Sequence, residues 1–265
     1  MAPIHDAAQR LDLAALRREL DAGVSPDLLD ESILPATPMH YVILFCSALD
    51  MHSIDHRLAC IEALLRAGAS VNLISSGISG GGDTALHCAV SLTDRSRYPT
   101  NFELVVDRLL RAGADVNAIN EYGTSVLAAA ATDGLSSTVA KLLSAGAVDP
   151  KGFDEPLRCA LERPEPRICA LLMRAGAKLP IHGRESWVAR SLERSPYLRK
   201  VYETPGGFNA YEKAHRQRLA AIFLPKLPSL PAEIVSYIVS FGFHCGCYEF
   251  DAVEPVAHRT RSKRG

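Results

Sequence analysis

Long hydrophobic runs are missing from these 265 residues. The longest, such as 41–46 and 234–239, fall far short of the about 20 residues needed to cross a bilayer, so no membrane-spanning helix is expected. Aromatic residues are few, 6% of the chain with a single tryptophan, and the seven cysteines are an odd number at irregular spacing that offers no framework of pairs. The opening Met1-Ala-Pro-Ile-His-Asp lacks the basic and apolar regions of a secretory leader, so a reducing, cytoplasmic compartment is expected. A net charge of −1 shows no excess of either sign, yet it hides an asymmetry. Residues 1–180 hold 16 Lys and Arg against 22 Asp and Glu, or −6, and residues 181–265 hold 13 against 8, or +5. The two parts are expected to meet different surfaces. With 48% hydrophobic and 22% charged residues, the composition excludes disordered and collagenous classes, and the length suggests about two units.

What the chain does have is an internal repeat. Leu64-Leu65-Arg66-Ala67-Gly68-Ala69-Ser70-Val71-Asn72 returns as Leu109-Leu110-Arg111-Ala112-Gly113-Ala114-Asp115-Val116-Asn117, differing at one position. Degenerate copies end in Gly23, Gly146 and Gly176. A second phrase precedes them: Thr37-Pro38-Met39-His40, Thr84-Ala85-Leu86-His87, Thr124-Ser125-Val126-Leu127 and Glu155-Pro156-Leu157-Arg158, with Ile4-His5 standing in the same place for the first glycine. Threonine before proline is a helix N-cap followed by a residue pre-set for the first turn. Glycine after Leu-Leu-x-x is the left-handed residue that ends the next helix. Each unit is therefore predicted as helix, turn, helix and a short extended connection. His40 and His87 fall at a helix start, where their two ring nitrogens can link backbone groups of adjacent units, a structural role.

These phrases resemble the ankyrin repeat, whose period of about 33 residues and Thr-Pro-Leu-His signature they match. The resemblance covers residues 2–180 and implies an all-α fold: an ankyrin-repeat solenoid of about five helix-turn-helix repeats (1–180), followed by a helical C-terminal cap or extension (181–257) and a basic tail (258–265) expected to be disordered. It implies a rigid concave surface, made from the hairpin tips and the first helices of each unit, that binds a partner protein at residues flanking the tips. The residues singled out are Ile74 and Ser75, Asn120, Glu121 and Tyr122, and Phe153 and Asp154.

Two departures stand out. Thr37 to Gly68 and Thr84 to Gly113 are 31 and 29 residues apart, against 21 for Glu155 to Gly176, which predicts eight to ten extra residues between the helices of units two and three, at 47–56 and 93–101. The glycine-rich connection 72–83 invites a phosphate-loop reading, but no lysine lies in or just after it, so a hairpin tip is expected.

After Gly176 the phrase does not recur, although Glu185-Ser-Trp187 could open a partial sixth unit with Trp187 in its core. A helix is predicted over 209–223, where Tyr211, His215, Leu219 and Ile222 or Phe223 recur at helical spacing. The segment Leu230-Pro231-Ala232-Glu233-Ile234-Val235-Ser236-Tyr237-Ile238 resembles the opening helix of an F-box and the end of a SOCS box, and that resemblance implies that Leu230, Pro231, Ile234 and Ile238 dock a cullin-type ubiquitin ligase through its adaptor. The upstream cysteine element of a SOCS box and the later helices of an F-box are missing. A structural cap is the alternative. His244, Cys245 and Cys247 present metal-binding groups without the second pair a closed zinc site needs.

No nucleophile with its base, paired carboxylates or cofactor loop stands out as a motif. The expectation is a non-catalytic, monomeric scaffold or adaptor without cofactor or metal, cytoplasmic or nuclear given the basic tail. A ligase substrate receptor is the first alternative. Nucleic-acid contact by the basic C-terminal part is the second.

Overall fold

The computed structural model describes residues 2–30, 35–44, 53–75, 81–95, 99–148, 154–162, 165–179, 186–235 and 238. The chain divides into two compact units, Met1–Arg199 and Lys200–Gly265.

The first unit is built from helix pairs: α1 (Pro3–Gln9) with α2 (Leu13–Asp21), α3 (Pro38–Leu44) with α4 (Ser53–Arg66), α5 (Ala85–Arg95) with α6 (Pro99–Arg111), α7 (Val126–Thr132) with α8 (Ser136–Ser144), and α9 (Asp154–Glu162) with α10 (Pro166–Arg174). The first helices α1, α3, α5, α7 and α9 pack one on the next, and so do the second helices α2, α4, α6, α8 and α10. A further helix, α11 (Ser186–Arg194), packs on α9, with the Ser191 hydroxyl donating to the Leu161 carbonyl at 2.7 Å. The compact unit therefore runs past residue 180, where the sequence repeat fades, because α11 continues the row of first helices without carrying the phrase. Trp187 lies in α11, but its side chain falls outside the described residues.

Local sequence sets the ends of these helices. Asp12 caps α2 by accepting from the Ala15 N–H, and Ser125 caps α7 by accepting from the Ala128 N–H. Gly23, Gly68, Gly113, Gly146 and Gly176 all have φ between 84° and 114°, and the N–H after each glycine returns to a carbonyl in the last turn. The first leucine of each phrase, Leu64, Leu109, Leu142 and Leu172, is fully buried. Each contributes about 1.5–3 kcal/mol of apolar burial, which only the neighbouring pair can complete.

The histidines join neighbours. His40 Nε2 lies 3.1 Å from the Asp83 carbonyl and His87 Nε2 lies 3.2 Å from the Thr124 carbonyl. A carbonyl only accepts, so each Nε2 donates and each Nδ1 accepts, from the hydroxyls of Thr37 (2.8 Å) and Thr84 (2.9 Å). His5 donates likewise to the Leu28 carbonyl at 2.8 Å, but Ala2 stands where threonine would, and the buried His5 Nδ1 has no partner. In the fourth and fifth units Leu127 and Arg158 replace the histidine, and Arg158 pairs instead with Glu155 and Glu162 on its own helix.

Sequence reasoning missed Arg57. It lies on α4, is 1% exposed, and donates from Nη1 to the carbonyls of Val42 and Ile43, so a guanidinium satisfies the last turn of α3. The extra residues expected as a loop at 93–101 instead lengthen helices: α5 and α6 have 11 and 13 residues against 7 and 9 in α7 and α8. Pro99 starts α6, so only 96–98 separate the pair. The other expected insertion lies mostly outside the described residues, and its end, from Ser53, begins α4.

After α12 (Pro196–Glu203), the second unit contains α13 (Gly207–Phe223), entered through Gly206 at φ 89°, and a 3-10 turn at Leu224–Lys226. Its buried face is Phe208, Glu212, His215 and Leu219. Of the predicted stripe His215 and Leu219 are buried, Tyr211 and Phe223 are half-buried and Ile222 is exposed, and the helix starts two residues earlier than expected, so that Phe208 joins the buried face.

Burial lowers the pKa of His40, His87 and His215 below the ordinary 6.5. An unfolded chain takes up these protons first, so their contribution to stability is complete above pH 6.5 and is lost as pH falls towards the folded values. Melting temperature should drop between pH 7 and pH 5, and less steeply in a His40→Gln, His87→Gln variant; equal slopes would refute the assignment. Ala2→Thr should give His5 Nδ1 a donor and raise stability by about 0.5–1.5 kcal/mol in denaturant titration.

Candidate functional site

The connections between helix pairs share a register counted from the marker glycines. Four residues on stand Asp27, Asn72 and Asn117, each reaching the turn of the next pair. Asp27 accepts from the Ser70 N–H at 2.9 Å, Asn72 from the Asp115 N–H at 2.7 Å, and Asn117 from the Val148 N–H at 2.8 Å. Seven residues on stand Asp30, Ser75 and Asn120, which turn inward and fix the fingers. Asp30 accepts from the Ala36 N–H at 2.8 Å and from the Tyr41 hydroxyl, and burial together with Asp30 pushes the Tyr41 pKa up to about 12. Ser75 pairs with Asp83 in the short antiparallel ladder of β1 (Ile74–Ser75) and β2 (Asp83–Thr84), and its hydroxyl donates to the Pro35 carbonyl at 3.3 Å. Asn120 accepts from the Tyr122 and Thr124 N–H groups and donates to Asp83 at 2.9 Å.

Between these inward positions, six residues after each glycine, stand Leu29, Ile74 and Ile119, which are 50%, 54% and 44% exposed. Alternation along an extended segment turns one side chain in and the previous one out. Leu28 and Tyr122, the latter 70% exposed, extend the same fingers. Five large apolar side chains thus face solvent on three consecutive connections.

The second and third fingers interlock. The Glu121 N–H donates to the Gly81 carbonyl at 2.7 Å. A Cβ on Gly81 would meet the Tyr122 ring at 2.2 Å, and one on Gly82, at φ 65°, would meet Glu121 Cγ at 2.6 Å. Glycine at both places lets one finger lie on the backbone of the other.

Of the residues singled out from sequence, Ile74, Glu121 and Tyr122 are exposed, Asn120 is half-buried, and Ser75 is buried in a positioning role. Phe153 and the side chain of Asp154 lie outside the described residues. Leu28, Leu29 and Ile119 were missed, although the six-residue offset from the glycines that Leu29 and Ile119 share with Ile74 was a usable signal. The first helices supply less surface than the resemblance implies: 38–43 of α3 and 85–90 of α5 are buried on every side. In the second unit Val235 is buried while Ile234 and Ile238 are exposed, Pro231 is exposed and Leu230 half-buried.

Burial holds the described thiols protonated, with Cys60 raised to about 11, Cys169 to about 12, and Cys88 raised as well. Among the described residues no group of His, Cys, Asp and Glu could hold a metal ion, and no helix is long and apolar enough to cross a membrane. His244, Cys245 and Cys247 lie outside the described residues.

The family model for the ankyrin repeat matches residues 81–121, from the glycines of the second finger through α5 and α6 to the tip of the third. A search of curated proteins found no match to the chain. Ankyrin repeats generally mediate protein–protein interaction.

Gly82→Ala should cost about 1–3 kcal/mol, from left-handed backbone strain and displacement of Glu121. Gly23→Ala, with open space at its Cβ, should cost less, about 1 kcal/mol. Urea titration of the two variants checks the order.

Proposed function

We propose that this chain is a non-catalytic protein-binding scaffold of stacked ankyrin repeats whose partner sits on the finger row. The carrying observation is the exposure of Leu29, Ile74 and Ile119 at one register position of three successive fingers. Exposed apolar side chains scattered singly are ordinary, but their recurrence at one register position of three successive fingers supports an interaction surface. The fingers are held by the histidine bonds, the Asx ladder and the glycine interlock, so little ordering entropy opposes binding. Removing three such side chains should leave the fold intact and abolish partner capture. In pull-downs with the full chain, a Leu29→Ser, Ile74→Ser, Ile119→Ser variant should lose the proteins retained by the wild type. Retention of the same set would refute the surface.

A second reading is favoured by the exposure of Ile234 and Ile238 in the second unit. With Val235 buried, the exposed Ile234 and Ile238 offer two apolar side chains that a ligase adaptor could cover, as the F-box-like and SOCS-box-like resemblance implies. Ile234→Asp with Ile238→Asp should then abolish binding of purified SKP-type adaptor or elongin B/C to the full chain. No binding of either adaptor by the wild type ends this reading.

A further inference from the structure

We propose that the first unit has a parting joint between its fourth and fifth helix pairs, at which α9, α10 and α11 come away together while α1 to α8 stay folded. This conformational device is independent of what the finger row binds.

Three kinds of polar link recur where one pair meets the next. The Nε2 of His5, His40 or His87 donates to the carbonyl of Leu28, Asp83 or Thr124 in the connection that follows. Four residues after a marker glycine, Asp27, Asn72 or Asn117 accepts the N–H of Ser70, Asp115 or Val148, each two residues after the next glycine. Between second helices, Glu62 of α4 pairs with Arg108 of α6, and Glu103 and Asp107 of α6 pair with Lys141 of α8. The second-to-third and third-to-fourth joints carry all three kinds, and the first-to-second carries the histidine link and the ladder link.

None of the three passes from the fourth pair to the fifth. Leu127 stands in place of the histidine, and four residues after Gly146 stands Pro150, whose side chain has no hydrogen-bonding group. Neither α8 nor α10 contains a carboxylate, so no ion pair joins one to the other. The joint keeps its apolar packing, with Leu127, Leu142, Leu157 and Leu172 buried, and the Cys159 thiol, a weak hydrogen-bonding group, meets Thr132. Beyond it a polar link resumes, because Ser191 of α11 donates to the Leu161 carbonyl in α9. The stability of stacked pairs is close to a sum of each pair's own and that of its interfaces, so the interface without the repeated links opens first and α11 leaves with α9. Leu29, Ile74 and Ile119 all lie on the linked side, so parting at this joint leaves the finger row in place.

Hydrogen–deuterium exchange of the full chain in low urea, read peptide by peptide by mass spectrometry, tests this. Amides of α9, α10 and α11 should exchange together, with protection about tenfold or more below that of α3 to α8. Simple fraying from the ends of a stack would open α1 and α2 as readily as α9 to α11, whereas the links of the first pair keep α1 and α2 at the slower rate. Pro150→Asn restores an acceptor at the register that reaches the N–H two residues after Gly176, that of Lys178. It should raise protection of α9 to α11 about threefold or more relative to Pro150→Ala, which controls for loss of the ring. A common rate from α1 to α11, exchange of α1 and α2 as fast as that of α9 to α11, or equal protection of α9 to α11 in the two Pro150 variants overturns the proposal.

Discussion

The fold depends on bonds that each helix pair makes with the next. A pair of short amphipathic helices has an apolar face it cannot cover and extended backbone it cannot satisfy alone. Leu64, Leu109 and Leu142 answer the first need by complete burial between second helices. His40 and His87 answer the second by donating to carbonyls about forty residues away. A buried imidazole with one nitrogen donating and the other accepting is satisfied only while it stays neutral, and burial keeps it so. Where histidine gives way to Leu127 or Arg158, that link between units is absent.

Rigid fingers follow from these links. Asp27, Asn72 and Asn117 tie each connection to the turn of the next pair, and Asp30, Ser75 and Asn120 turn inward at each finger. Because inward and outward positions alternate along extended backbone, fixing the polar residue inward forces the preceding Leu29, Ile74 or Ile119 outward. The apolar row is thus a product of the same geometry that holds the repeats together. With 38–43 of α3 and 85–90 of α5 buried, the exposed Ile74, Ile119 and Tyr122 belong to the connections rather than to those helices.

Helix starts and stops were legible in the sequence because they rest on local chemistry. Glycine after Leu-Leu-x-x ended each second helix at positive φ, and the threonines placed the histidines correctly. The outward positions of the fingers were legible only in part. Ile74 and Tyr122 stood out at hairpin tips, whereas Leu29 and Ile119 look like ordinary hydrophobic residues until the register from Gly23 and Gly113 is compared. Ser75 shows the converse: a polar residue in a finger reads as surface, yet it is buried. Arg57 was invisible for another reason, since its carbonyl partners at the end of α3 lie about fifteen residues upstream.

Sequence alone determined the repeat unit, the starts of its first helices, the ends of its second helices and the acidic character of the connections, because capping, glycine conformation and charge are properties of nearby residues. Tertiary structure decided which side chains of each finger face solvent, that the extra residues near Pro99 lengthen helices, and that Gly81 and Gly82 form the seat for Glu121 and Tyr122. Those outcomes depend on groups some forty residues apart coming within bonding distance, which the packing of one pair on the next brings about.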